Sequence, residues 1–142
     1  GQIGISGDKV SLEQAIALAK EGGARHVIPL AVSVASHSPL MAHAAEALGE
    51  ILENTRIERA QTPVVANVTA QPIEEPEEIR QELVAQLTGP VRWVESVEYM
   101  VSQGVDTFVE VGPGRVLRGL IRRIDSGVKG KGVEMFIQKN PA

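Results

Sequence analysis

Val32-Ser33-Val34-Ala35-Ser36-His37-Ser38-Pro39-Leu40-Met41 joins a β-branched run to the clearest helix start in the chain. Ser38 is a good helix cap, and Pro39 takes the first helical position, where a missing N–H is harmless. Met41, Ala44, Ala45, Leu48, Ile51 and Leu52 then follow at helical spacing. Upstream, Val27 to Val34 reads as a strand, placed on an edge or bulged because Pro29 interrupts it. Strand, short polar loop and helix together form the repeating unit of α/β folds.

The same alternation continues outward in both directions. Gln2 to Ile5 is strand-like, and Ser11 with Gln14 reads as a capping box for a helix that stops at Gly22-Gly23. Downstream, Pro63 to Val68 is a predicted strand. The acidic cluster Glu74 to Glu78 suits the positive end of a helix carrying Ile79, Leu83, Val84 and Leu87. Gly89-Pro90 breaks that helix, and Val91, Val94, Val97, Met100 and Val101 mark another that closes at Gly104. Thr107 to Val111 is a strand, Gly112-Pro113-Gly114 a turn, Val116 to Ile124 a basic amphipathic helix, and Val133 to Ile137 a last strand after a glycine-spaced loop. The expectation is an α/β fold with a largely parallel sheet. Because Gly1 leads straight into a strand-like run, the chain is expected to be a piece of a longer protein.

Composition narrows the functions. The 142 residues are 43% hydrophobic and 23% charged, an ordinary globular mix. Without cysteine, disulfide scaffolds, thiolate metal sites and thiol catalysis are excluded. Aromatic residues at 3% are too few for base stacking, and no apolar run reaches the roughly 20 residues of a membrane helix. Neither nucleic acid nor membrane is an expected partner, and a cytoplasmic location is expected. Charge is uneven: residues 1–114 hold seven basic and sixteen acidic side chains, residues 115–142 seven basic and two acidic. A basic end on an acidic body points to an anionic partner there.

His37 is the residue with a chemical position, between a predicted strand and a helix N-terminus. The positive end of that helix disfavours imidazolium by about 0.3–1 kcal/mol, and neutral imidazole is what a general base needs. A polar loop histidine packed on a turn is the plainer alternative. His26 and His43 lack comparable placement. No Gly-x-Ser-x-Gly elbow supplies a nucleophile, the three histidines have no metal-binding spacing, and Gly112-Pro113-Gly114-Arg115 reads as a turn rather than a phosphate loop. No metal and no cofactor are expected.

Three motifs in order carry a resemblance: Val32 to Met41, Gln86-Leu87-Thr88-Gly89-Pro90-Val91-Arg92-Trp93, and Phe108-Val109-Glu110-Val111-Gly112-Pro113-Gly114. Together they resemble the C-terminal part of the malonyl-CoA:acyl carrier protein transacylases. The resemblance implies an α/β-hydrolase-like acyltransferase core, residues 35–142 being its C-terminal portion. Residues 1–34 would be half of a small ferredoxin-like subdomain. It implies a Ser–His enzyme of fatty acid biosynthesis that moves malonyl from coenzyme A to acyl carrier protein, with the serine outside this chain. His37 would be the base, and the backbone carbonyl of Gln86 would fix its tautomer. Gln2 and Ser36 would lie by the acyl pocket.

The implied partners are malonyl-CoA, acyl carrier protein and the N-terminal part of the same enzyme; the chain alone would be inactive. Arg115, Arg118 and Arg122 share one predicted helix face at i, i+3, i+7, with Arg123 beside them, and are expected to dock the acidic carrier. One of them holding Glu110 or Asp125 is the alternative. The other functional readings are a polyketide synthase acyltransferase domain and a noncatalytic binding fragment. Trp93 is expected to fill core.

Overall fold

A computed structural model describes residues 2–135. Helix α1, Lys9–Glu21, is followed by a long irregular stretch and then by a 3-10 turn, Pro39–Met41, that runs directly into α2, Ala42–Glu53. A two-residue strand, β1 (Val64–Val65), turns back as β2 (Pro72–Ile73) before α3, Pro76–Thr88. Helix α4, Trp93–Ser102, leads to β3 (Thr107–Glu110), α5 (Val116–Ile124), β4 (Lys129–Gly132) and a closing 3-10 turn, Val133–Met135.

Two small cores organise these elements. Helices α2 and α3 pack together, with Ala45 and Leu52 buried and Gly49 facing Val84 so closely that a Cβ there would lie 3.9 Å from Val84 Cγ2. Around α5 the sheet β3–β4 and helix α4 close over Ile121 and Val97, the latter fully buried. Removing a side chain of this size from water contributes about 1.5–3 kcal/mol.

The α/β character is as expected, but the sheet is not one largely parallel layer. Among the described residues there are two two-stranded sheets: β1–β2 is antiparallel, and only β3–β4 is parallel. The strands expected at residues 2–5 and 27–34 do not form: residues 2–5 and 27–32 have no regular secondary structure and residues 33 and 34 bend. A strand needs a neighbour for its N–H and C=O groups, and the described residues offer these segments none. Their side chains confirm this isolation: Ile3 is 92% exposed and Ile28 75%.

Three further boundaries shift. Helix α1 is capped by Asp8, whose carboxylate accepts the Ser11 N–H at 3.0 Å, so Ser11 lies inside the helix instead of capping it. The strand expected at Pro63 to Val68 shrinks to two residues because Asn67 to Thr69 turn. The last strand falls earlier than expected, on the glycine-rich Lys129–Gly132, while Val133 to Met135 form a 3-10 turn. Residues 136 and 137 of that expected strand lie outside the described residues. Gly130 shows why glycine tolerates this strand: a Cβ there would lie 3.2 Å from Cγ of Arg118, which crosses it from α5.

Candidate active site

The site begins at a helix end. Helix α3 stops where Gly89-Pro90 predicts, and the stop leaves particular carbonyls without partners. The Gly89 N–H bonds Ala85 at 2.8 Å. The carbonyl of Gln86 would next accept from position 90, but proline has no N–H to give. The carbonyl of Leu87 lies beyond the last helical bond.

His37 takes both. Its backbone N–H donates to the Leu87 carbonyl at 3.0 Å, and its ring Nδ1 lies 2.7 Å from the Gln86 carbonyl oxygen. A carbonyl only accepts, so Nδ1 carries the proton and Nε2 is left as the acceptor. The ring itself is exposed.

Local backbone makes this double contact possible. His37 has φ 61°, the left-handed region that non-glycine residues enter at a cost of order 1–3 kcal/mol. Ser38 offsets part of that strain. It is buried, donates to the Ala35 carbonyl at 2.7 Å and accepts from Leu40 N–H at 3.3 Å, so one hydroxyl ties the loop to the helix start. The ring lies beside the N-terminus of the α2 helical segment, as its place in the sequence predicts, and also beside the Gln86 carbonyl. The negative end of α3 touches it directly.

A second set of bonds fixes the far side of α3. The Asn67 side-chain amide donates to Oε1 of Gln86 at 2.9 Å. Oε1 of Glu82 accepts the backbone N–H groups of Asn67 and Val68 at 2.7 and 3.2 Å, and the Asn67 carbonyl accepts Arg92 N–H at 2.8 Å. Gly89 sits between: a Cβ there would meet Ala85 O at 2.9 Å and Val68 Cγ2 at 3.0 Å. Sequence reasoning assigned Asn67 to a strand and missed it. The signal was present, since asparagine favours turns over strands.

The other predicted site residues make no hydrogen bond to His37 or Gln86 among the described residues. Ser36 is exposed in the turn beside His37. Gln2 is exposed and makes no hydrogen bond among the described residues. At the opposite end, Arg115, Arg118 and Arg122 line one open groove of about 470 Å³ with Gly119, Ser126, Val128 and Gly130, as their spacing requires. They are not equivalent. Arg118 is committed: its Nε bonds Glu110 at 3.0 Å, one terminal nitrogen reaches the Gly114 carbonyl at 3.1 Å, and the other lies 3.6 Å from Glu134. Arg115, Arg122 and Arg123 have no ion pair among the described residues.

Glu110 in turn caps α5, accepting Leu117 N–H at 3.0 Å. Burial pushes its carboxyl up, but the bonds from Leu117 and Arg118 outweigh it and hold the carboxyl below its ordinary value. Among the described residues no cluster of His, Asp or Glu could hold a metal, and no helix is long and apolar enough to cross a membrane.

No protein-family profile matches the chain. Individual proteins do. The malonyl CoA-acyl carrier protein transacylase of Bacillus subtilis is 46% identical over 129 residues, covering 91% of this chain and 41% of that protein. The transacylase of Haemophilus influenzae is 51% identical, covering 87% and 40%. The chain is similar in sequence to one part of these transacylases. Solved structures agree. A malonyl-transacylase in complex with a type II polyketide synthase acyl-carrier protein superposes with a TM-score of 0.87 at 45% identity, over 89% of this chain and 41% of that one. The acyl carrier protein S-malonyltransferase of Vibrio cholerae gives 0.86 at 43%, over 89% and 42%. The chain thus spans about two fifths of the length of the relatives it matches.

Proposed function

We propose that this chain is the histidine-bearing part of a malonyl-CoA:acyl carrier protein transacylase serving fatty acid biosynthesis in the cytoplasm. The observation that carries the reading is His37 Nδ1 held at 2.7 Å by the Gln86 carbonyl, an orienting acceptor in the role that a carboxylate plays in the usual triad. In this reading residues 35–142 belong to an α/β-hydrolase-like core and residues 1–34 to a ferredoxin-like subdomain. The remaining part of the enzyme supplies the serine. Gln2 and Ser36 border the acyl pocket once that part is in place.

The chemistry follows from the tautomer. Nε2 of His37 takes the serine proton as Oγ attacks the malonyl thioester carbonyl. The tetrahedral intermediate collapses, the C–S bond breaks, and the coenzyme A thiol leaves with the proton from Nε2. The phosphopantetheine thiol of the carrier then gives its proton to Nε2 and attacks the serine ester. Serine leaves with that proton, and malonyl remains on the carrier. Within each half-reaction, after Nε2 takes a proton and before it gives that proton up, the ring is an imidazolium whose Nδ1–H points at a carbonyl on the negative end of α3.

The carrier protein, an acidic partner, docks on Arg115, Arg122 and Arg123, with Arg118 bracing α5 against β3. Steering of this kind acts on association and is screened over about 8 Å at physiological salt. In the complete enzyme, Arg122→Glu with Arg123→Glu is expected to raise KM for the carrier and to reduce its salt sensitivity, with KM for malonyl-CoA almost unchanged. Equal effects on both substrates would move these arginines to the coenzyme or to the core.

The test of the reading is His37→Ala in the complete enzyme. Malonyl transfer should fall by about 10²–10⁴-fold, the contribution of a general base, while the fold persists by circular dichroism. A loss under about tenfold would remove His37 from the mechanism.

A further inference from the structure

The bonds on the far side of α3 point to a residue that acts on the reaction without touching substrate. We propose that Asn67 is a positioning residue for His37, working through the side chain of Gln86. The inference rests on the transacylase reading above, in which His37 is the base.

Gln86 occupies the last turn of α3, the part of a helix that frays first, because its carbonyls lack intrahelical donors. Yet this turn must present one carbonyl to Nδ1 of His37 at a fixed distance and direction. Hydrogen bonds from the ring alone would be a poor anchor, since His37 lies on an exposed loop in a strained conformation. The Gln86 side chain provides a second anchor. Its Oε1 is held at 2.9 Å by the Asn67 amide in a half-buried contact, so the residue is gripped on both its backbone and its side chain.

Asn67 can do this because it is itself immobilised from three directions. Its N–H is held by Glu82 one turn earlier on the same helix, and its carbonyl by the Arg92 N–H at the start of α4. The loop around it is closed by Ala66 N–H to Gln71 O at 2.9 Å and Ala70 N–H to Ala66 O at 3.0 Å, with Ala66 and Ala70 buried. Ala70 is in the left-handed region at φ 56°, so the turn holds backbone strain for a tight closure. Glu82 and Gln86 are one turn apart, so the loop grips α3 at two successive turns of one face. A chain of hydrogen bonds therefore runs from a rigid turn, through Asn67 and Gln86, to the ring nitrogen that sets the tautomer.

Coupling of this kind is measured by a double-mutant cycle. Asn67→Ala, Gln86→Ala and the double variant are made in the complete enzyme, with His37→Ala as the reference. Asn67→Ala and Gln86→Ala are each expected to lower kcat about tenfold with KM for malonyl-CoA nearly unchanged, and the double variant to lose no more than either single one. In histidine-labelled enzyme, the 15N signals of His37 should pass from one Nδ1-protonated tautomer to a mixture in all three variants. Additive losses, or an Asn67→Ala enzyme with wild-type kcat and wild-type His37 signals, would overturn the inference. Should Asn67→Ala fail to fold, Gln86→Ala leaves every backbone bond of the loop intact and must still show the mixed tautomer. Failure of the transacylase reading is separable: His37→Ala would then leave transfer intact, whatever the ring signals of the other variants.

Discussion

Residues 2–34 and the junction between His37 and Arg92 differ in what they finish for themselves. In the junction, carbonyls that Pro90 and the end of α3 leave open are taken by His37, and the loop at Asn67 is bonded to two helices. In the first segment no residue of α1 is buried, and Ile3, Leu18, Ile28, Leu30 and Val32 each expose more than two thirds of their surface. Polar geometry at the site is closed by nearby chain. Apolar burial in the first segment requires surface that the described residues do not supply.

The two regions should respond differently to substitution. The largest effect is expected from Pro90→Ala. An N–H at position 90 would compete with His37 for the Gln86 carbonyl, and kcat of the complete enzyme should fall about tenfold, in line with loss of a single orienting bond. An unchanged kcat would mean that the proline is only a helix stop. Gly89→Ala should destabilise the junction by about 1–3 kcal/mol in urea unfolding, because its Cβ would press on Ala85 and Val68. A change within about 0.5 kcal/mol would show that this packing yields easily.

For the first segment, the 142-residue chain by itself should self-associate, since this many exposed large apolar side chains seek cover. Light scattering across a concentration series reads this, and Ile28→Lys with Leu30→Lys should shift the chain toward monomer. A strict monomer at high concentration would contradict the contrast. The smallest effect concerns Glu110. Its carboxyl is held below its ordinary value in the folded chain, so it stabilises above the unfolded value and that contribution is lost as pH falls through the folded one. The difference in Tm between wild type and Glu110→Gln should therefore narrow on acidification from pH 7 to pH 3. A constant gap would separate the cap on α5 from charge.

What the sequence made legible follows the same division. Ser38-Pro39, the acidic start of α3, Gly89-Pro90 and the basic face of α5 are local signals, and each lies where it was read. His37 and Gln86 were paired only through a resemblance, because 49 residues separate them and no spacing rule links a loop to a helix end. The left-handed backbone of His37 and the grip of Asn67 left no periodic trace. Strands at residues 2–5 and 27–34 were misread for the opposite reason. Their β-branched composition is genuine, but pairing is a property of neighbours. Glycine-rich β4 was missed because β3 and Arg118, not its own side chains, make it a strand.

The proposed reading puts the base and its orienting carbonyl in this chain and the serine outside it. Its most direct test is to incubate the purified 142-residue chain with malonyl-CoA and holo-acyl carrier protein and to follow malonyl-carrier formation by mass spectrometry. Transfer no faster than the uncatalysed background is expected. Malonyl-carrier accumulating well above that background would contradict it, since a nucleophile would then have to lie within these residues.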